Sequence, residues 1–232
     1  GATILTAMGQ AFFSLGLSCG TIMIYGAYLP KSISITQTSI WISLADTVVA
    51  LLAGIAIFPL VFTHGLHPNS GPGLVFQTLP IAFGNMTGGW LFGVLFFIML
   101  VFAALTSSIA LIEPTVAYLI EHKGMARKQA SVYAGLGAWL IGMGTVFSFH
   151  TDSFRIFGMT FFELIDYITS NLMLPIGGFC VAVFAGWILK REQAQAELHL
   201  EAKYYDIWHF LVRYVAPVIV FFVFLHTVGV LA

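Results

Sequence analysis

The apolar stretch at residues 5–29 is long enough to cross a bilayer, since about 20 apolar residues suffice. Its centre nevertheless has two glycines and two serines where lipid favours leucine, in the run Phe13-Ser14-Leu15-Gly16-Leu17-Ser18-Cys19-Gly20. Glycine costs a helix about 1 kcal/mol relative to alanine, and hydrocarbon cannot satisfy backbone groups that an opening frees. A helix interrupted here has to line a cavity or bind a ligand, as in secondary transporters. The alternative is a continuous helix whose glycines pack against a neighbour.

The composition is that of a protein embedded in the lipid bilayer. Hydrophobic residues make up 59% of the 232 residues and charged residues only 8%, against about 25% charged in a soluble domain. The formal net charge of −1 gives no basic surface, so no nucleic-acid partner is expected. Cys19 and Cys180 both fall in apolar stretches, which argues against a disulfide framework or a zinc site.

Six membrane spans are predicted, and the chain is therefore expected to be an all-α integral membrane protein. The spans are residues 5–29, 40–62, 90–120, 130–149, 161–189 and 208–230. A non-membrane stretch at 64–89 separates the second span from the third, and a helix is predicted within it at 75–83. A polar connector at 190–206 precedes the last span and is expected to form a short surface helix.

The positions of lysine and arginine assign the two sides of the membrane. Eight of the nine cations fall at one set of loops and helix ends, which the positive-inside rule makes cytoplasmic. These are Lys31, Lys123, Arg127, Lys128, Lys190, Arg191, Lys203 and Arg213. Only Arg155 falls at the other set, so the 64–89 loop and the C-terminus are predicted to be extracellular.

Several polar side chains fall at membrane depth. Asp46 lies in the second span, where a carboxylate costs about 2.5 kcal/mol or more and is a functional candidate. In the third span Ala103, Thr106 and Ser107 are spaced i, i+3, i+4 and share one helix face. Their carbonyl and hydroxyl oxygens suit an alkali cation. The alternative is that the hydroxyls of 106–108 bond back to carbonyls of their own helix.

Two further acids are placed differently. Glu113 lies in the inner half of the third span, where a carboxylate needs a partner. Asp166 lies at the outer end of the fifth span and can reach water.

Taken together, these stretches resemble the neurotransmitter:sodium symporter family, in its prokaryotic branch of amino-acid transporters. The matching stretches run in family order across essentially the whole chain, at residues 9–17, 25–28, 103–114 and 166–167. The resemblance aligns the chain with helices six to eleven of the LeuT-like inverted-repeat fold, whose sixth helix is discontinuous. It implies that helices one to five are missing partners, and the start at Gly1 without Met suggests a piece of a longer chain. The expected location is the plasma membrane, as a multi-pass protein of the bacterial inner membrane.

The resemblance also implies roles for single residues. The substrate contacts of relatives correspond here to Phe13, Ser14, Gly16, Cys19, Ser107 and Leu111. One sodium site would use Ser14 and Asp46, and a second would use the Ala103 carbonyl with Thr106 and Ser107. Asp166 matches the acid of the outer gate, whose arginine partner lies on the missing first helix.

Two departures from the family pattern bear on ions and substrate. Ser18 and Cys19 stand where relatives often have glycine and a large apolar residue, so the substrate size is left open. Many relatives have a neutral asparagine at the position of Asp46, and those that need chloride bind it near the position of Ala50, which here offers no hydroxyl. A carboxylate about 4 Å from Na⁺ contributes roughly 4 kcal/mol before desolvation. Na⁺ is therefore the expected coupling ion, with no chloride requirement and no organic cofactor.

The sequence thus predicts sodium-coupled symport of an amino acid by alternating access, with this chain as an incomplete half of the transporter. Cys19 and Leu111 indicate a mostly apolar pocket and a neutral substrate. The alternative is a non-transporting membrane subunit, or a truncated half, that only assembles with a partner chain. An intramembrane hydrolase using Ser107 or Asp46 has no nucleophile motif in its favour, and no enzymatic activity is expected.

Overall fold

The computed structural model describes residues 2–63, 65, 73–150 and 155–230. Within these residues the chain forms nine helices and one short two-stranded ribbon. The helices are α1 (Ala2–Ser14), α2 (Thr21–Ala27), α3 (Ile35–Thr63), α4 (Leu74–Gly84), α5 (Gly89–Lys123), α6 (Arg127–His150), α7 (Phe161–Ile188), α8 (Arg191–Leu198) and α9 (Ala202–Thr227). Residues 64 and 66–72 of the predicted extracellular loop lie outside the described part of the chain.

The membrane-type helical fold is confirmed. In the described part of the chain, five helices are long and apolar enough to cross a bilayer, namely α3, α5, α6, α7 and α9. The first apolar stretch supplies two shorter helices, α1 and α2, so the predicted discontinuity is also confirmed. Helices are present at 75–83 and within the 190–206 connector, as expected. The membrane limits of each span stay predictions.

The chain divides into two compact units. One consists of Gly1–Ser39 with Ala110–Ala232, and the other of Ile40–Ile109. In the first unit α9 packs along α7, and α1 lies against both. Small residues allow these close approaches. The Cβ position of Gly9 is 3.5 Å from Val223 Cγ1, and the Cβ position of Gly186 is 2.8 Å from Arg213 Cα. Such packing of small residues is the usual way for apolar helices to associate in lipid.

The second unit contains most of α3, all of α4 and the first half of α5. The Phe83 ring on α4 lies 3.6 Å from the Cβ position of Gly93 on α5. The centre of the same ring is 5.6 Å from that of the Phe96 ring, also on α5. Leu79 and Ala82 of α4 are fully buried.

The ribbon before α7 was not anticipated. Strand β1 (Arg155–Ile156) pairs antiparallel with β2 (Met159–Thr160), and both turn residues have positive φ, 53° at Phe157 and 80° at Gly158. Positive φ at both central residues defines a type I′ hairpin turn. Thr160 then caps α7 in a capping box, in which the Glu163 amide donates to Thr160 Oγ1 at 3.2 Å and the Thr160 amide donates to Glu163 Oε2 at 2.7 Å.

Candidate functional site

The first candidate site is the six-residue break between α1 and α2. Helical bonding ends with turn-type bonds, in which the Gly16 amide donates to the Phe13 carbonyl at 3.0 Å, and resumes where the Ile24 amide donates to the Gly20 carbonyl at 3.1 Å. Gly16 has φ +58° and Gly20 has φ +76°. Glycine adopts this left-handed region without the steric penalty of a Cβ. The glycines that marked the break in the sequence therefore make its two sharp changes of direction.

Two neighbouring helices hold the break. Gly177 of α7 faces Ser18, with its Cβ position 3.0 Å from Ser18 Cβ and 3.2 Å from the Ser18 carbonyl oxygen. One residue further along α7, the Phe12 ring occupies the space that a side chain at Gly178 would need. On the other side, the Cβ position of Gly20 is 3.5 Å from Pro114 Cβ of α5.

The break contains polar groups with unsatisfied hydrogen-bonding capacity. Ser18 Oγ and Thr21 Oγ1 are buried and have no hydrogen-bond partner among the described residues. Leaving such a group unpaired costs about 1–3 kcal/mol, so a polar ligand at the break would relieve that cost. Sequence reasoning used Ser18 as a sign of the break and as a departure from the family pattern, did not predict it as a ligand, and missed Thr21. The available signal was a hydroxyl residue directly after Gly20, in an otherwise apolar stretch.

The structure brings four of the predicted substrate residues together at the break. Phe13 and Ser14 end α1 and are exposed, whereas Gly16 and Cys19 are half-buried in the break itself. The carbonyl end of α1 carries partial negative charge, which favours a cation beside Ser14. Leu111, from α5 of the same unit, is exposed.

The predicted second sodium site lies on one face of α5. Thr106 Oγ1 donates to the carbonyls of Phe102 and Ala103, each at 3.0 Å, so the Thr106 and Ala103 oxygens are adjacent as predicted. Ser108 Oγ donates to the Ala104 carbonyl at 2.7 Å. The back-bonding alternative is therefore also present. The two are compatible, because a hydroxyl that donates its proton keeps lone pairs for a cation.

The remaining predicted sodium residues are Ser107 and Asp46. The Ser107 side chain on α5 is exposed, and Asp46 on α3 is half-buried. Asp46, Ala103, Thr106 and Ser107 belong to the unit of residues 40–109, whereas Ser14 belongs to the other unit. Over the described residues, no cluster of three His, Cys, Asp or Glu side chains offers an alternative metal site.

Glu113 has the partner that its position required. It is buried, with 8% of its surface exposed, and accepts hydrogen bonds from Tyr28 Oη at 3.0 Å and from Arg127 Nη2 at 2.8 Å. The three residues, called here the Glu113 cluster, join the end of α2, the middle of α5 and the start of α6. Sequence reasoning identified the acid but not its partners.

Asp166, the predicted gate residue, lies on α7 immediately before a π-helical segment, Tyr167–Met173. Ser170 Oγ donates to Asp166 Oδ1 at 3.2 Å. Asp166 lines an open cavity of about 450 Å³ together with Arg155, Glu163 and Asn171. The acid is therefore accessible from the end of α7 at which it was predicted to meet water.

Long apolar helices, with one helix interrupted between polar groups, are typical of secondary transporters. The sequence profile of the sodium:neurotransmitter symporter family matches residues 3–231, and the chain belongs to this family. The family is one of transporters, not enzymes, and the chain is accordingly a multi-pass protein of the plasma membrane.

Known relatives and a solved structure agree with this assignment. The chain is 35% identical to the uncharacterized sodium-dependent transporter YhdH of Bacillus subtilis, over 99% of this chain and 52% of the relative. It is 35% identical to an uncharacterized sodium-dependent transporter of Haemophilus influenzae, over 94% of this chain and 48% of the relative. The crystal structure of MhsT in complex with L-phenylalanine matches with 38% identity and a TM-score of 0.88, over 96% of this chain and 51% of that one. The chain thus spans about half the length of these proteins.

Proposed function

We propose that this chain is part of a symporter that couples the entry of Na⁺ to that of a neutral amino acid, by alternating access. The observation that carries the proposal is the break between α1 and α2, where two buried hydroxyls lack partners among the described residues. Similarity to sodium-dependent transporters, and to a protein crystallised with the neutral amino acid L-phenylalanine, supports it. The activity is proposed for the full-length protein, including the five helices that precede this region in the family.

The proposed roles follow the sequence prediction. Substrate would contact Phe13, Ser14, Gly16, Cys19, Ser107 and Leu111. One Na⁺ would be bound with Ser14 and Asp46, and another by the oxygens of Ala103, Thr106 and Ser107. Asp166 would act at the outer gate. No organic cofactor is needed, because transport requires no covalent step.

Coupling would arise because bound Na⁺ favours the conformation that best retains the amino acid. Linkage then requires that each ligand raises the affinity for the other by the same factor. The carbonyl end of α1 and the Ala103 carbonyl supply fixed dipoles for this purpose.

The test is amino-acid binding to the purified full-length protein in Na⁺ and in K⁺. We expect binding of a neutral amino acid in Na⁺ only. Thr106→Val, which removes the hydroxyl but keeps the side-chain shape, is expected to raise the Na⁺ concentration for half-maximal binding at least about tenfold, which corresponds to roughly 1.4 kcal/mol. Thr106→Ser keeps the hydroxyl and should bind nearly as the wild type does.

Ser108→Ala is the matched control, because Ser108 makes the same kind of back-bond but is not among the proposed ligands. Equal losses in Thr106→Val and Ser108→Ala would refute a specific role for Thr106. Absence of sodium-dependent binding for every amino acid would favour the alternative of a non-transporting subunit.

We also propose that transport is independent of chloride, because Asp46 supplies a fixed negative charge and Ala50 offers no hydroxyl. The test compares uptake with chloride and with gluconate as the anion. Wild-type uptake should be equal in both, whereas Asp46→Asn should be slow in gluconate and partly restored by chloride. An Asp46→Asn variant whose uptake has the same anion dependence as the wild type would contradict the proposal.

A further inference from the structure

Arg213 is a half-buried cation of the first unit. It lies within α9, in the π-helical segment Leu211–Val215, eleven residues after the helix begins at Ala202. Its backbone packs against Gly186 of α7, where the Gly186 Cβ position is 2.8 Å from Arg213 Cα. Gly186 is two residues before the end of α7 at Ile188. Arg213 is therefore at the level where α7 ends, next to the cytoplasmic side assigned by the positive charges.

Helices α7 and α9 are fixed to each other at this point. His209 Nε2 donates to the Gly186 carbonyl at 3.1 Å, one turn before Arg213. Gly186 belongs to a π-helical segment of its own, Phe184–Ile188, and is buried. Two π-helical segments therefore meet here, and such segments frequently mark functional sites.

The guanidinium group rests on aromatic rings and has no anionic partner in the described part of the chain. Arg213 Cζ lies 5.5 Å from the ring centres of both Trp187 and Tyr214. Its Nε is buried and has no hydrogen-bond partner among the described residues. Asp206, two turns earlier on α9, is bound by Arg191 at 2.8 Å. A guanidinium held in this way is available to bind an anion from outside the described chain.

The surface around Arg213 fits a lipid better than a soluble anion. Trp187, Ile188, Leu211 and Tyr214 are all between 46% and 64% exposed beside it, so they form an apolar surface next to the charge. Tryptophan and tyrosine concentrate at the level of lipid headgroups. Lys190 and Lys203 flank the same ends of α7 and α9, and basic pockets at this side of a membrane attract anionic headgroups.

We propose that Arg213, with Trp187 and Tyr214, forms a binding site for the phosphate of an anionic phospholipid of the inner leaflet. The guanidinium binds the phosphate oxygens with its parallel N–H groups. The two rings hold the guanidinium plane in place, and the apolar surface beside them contacts the acyl chains. The site is independent of the transport proposal, since none of its residues is among the proposed substrate or sodium ligands.

Native mass spectrometry of the full-length protein in detergent tests this site. Phosphatidylglycerol is the anionic probe, phosphatidylcholine the zwitterionic probe and inorganic phosphate the soluble one. We expect the wild type to retain phosphatidylglycerol more strongly than phosphatidylcholine, and inorganic phosphate not to displace it. Arg213→Gln should bind phosphatidylglycerol about tenfold more weakly, whereas Arg213→Lys should lose less because the charge remains.

Arg155→Gln is the matched control, because it removes the same side chain from the opposite side. It should retain phosphatidylglycerol as the wild type does. If Arg213→Gln does not elute as a folded protein in size-exclusion chromatography, Trp187→Leu replaces it, with an expected loss of about fivefold. Equal retention by the folded site variant and the control, or displacement of the lipid by inorganic phosphate, would overturn the proposal.

Discussion

The carboxylate of Glu113 is the most deeply buried acid described in the chain, and it depends on two neighbours. Tyr28 and Arg127 donate to it from α2 and α6. The Arg127 side chain is 62% exposed, so solvent weakens the ion pair, whereas the carboxylate itself is shielded. The cluster thus stabilises the fold mainly by satisfying a buried acceptor.

Glu113→Ala is therefore expected to lower the free energy of unfolding by about 2 kcal/mol, since it removes the shared acceptor of both neighbours. Glu113→Gln keeps an acceptor for Tyr28 but loses the charge, and should cost about half as much. Thermal unfolding in detergent measures both variants.

Glu121→Ala is the control, because it removes an exposed acid from the same helix. If Glu113→Ala unfolds at the same temperature as Glu121→Ala, the cluster does not stabilise the fold.

At this scale the sequence identified the acids better than their partners. Asp46 and Glu113 could be singled out because a carboxylate in an apolar span is costly wherever the helix lies. The partner Tyr28 is 85 residues away from Glu113, and only the packing of α2 on α5 brings it near. The face shared by Ala103 and Thr106 was predictable, because both residues lie on one helix with a fixed period.

At the scale of helices, α1 packs closely on α7 because α7 has glycines at the contact, Gly177 and Gly178. The Phe12 ring fills the space beside Gly178, and Gly177 next to it faces Ser18. A methyl group at Gly178 would overlap the ring, whereas neighbouring atoms of Gly135 on α6 are all more than 4 Å from its Cβ position. The two glycines therefore form a matched pair for testing this contact.

We expect Gly178→Ala to lower the free energy of unfolding by about 1–2 kcal/mol, because overpacking outweighs the gain in helix propensity. Gly135→Ala should be neutral or slightly stabilising. Thermal unfolding of both variants is the measurement. A stable Gly178→Ala variant would show that α1 can move away from α7 at little cost.

The elements that sequence reasoning found and missed differ in a physical way. The break was predictable because two glycines and two serines fall within the eight residues 13–20, in the middle of an apolar stretch, where glycine weakens a helix. The π-helical segments in α7 and α9 were not, because they differ from α-helix only in hydrogen-bond register and leave the apolar pattern unchanged. The ribbon before α7 has two residues in each strand, which is too short for an alternating pattern to appear.

At the scale of the whole molecule, the chain corresponds to about half of each relative, 52% of YhdH and 51% of MhsT. The residues proposed to bind sodium supply only a few oxygen ligands, and the family resemblance implies further ligands on a first helix that precedes this region. The sites proposed for this chain are therefore expected to be completed by other helices of the full-length protein.

The 232-residue chain expressed alone is accordingly expected to show no sodium-dependent amino-acid binding, whereas the full-length protein is expected to bind. The measurement is the binding assay in Na⁺ and K⁺ described above, on both proteins at equal concentration. The isolated chain must first elute as a folded species in detergent. Binding by the isolated chain with an affinity equal to that of the full-length protein would mean that it contains a complete site.

The break between α1 and α2 contacts α7 on one side of Cys19 and α5 on the other. Up to Ser18 the chain is packed on α7, and from Gly20 onward it is packed on α5 and joined to the Glu113 cluster. Cys19 is the residue at which the chain passes from one neighbour to the other, and Gly20 beside it has a φ that side-chain-bearing residues rarely adopt. If α7 and α5 rotate relative to each other, the rotation is absorbed by the few torsion angles around residue 19, while the helical segments on both sides keep their internal hydrogen bonds.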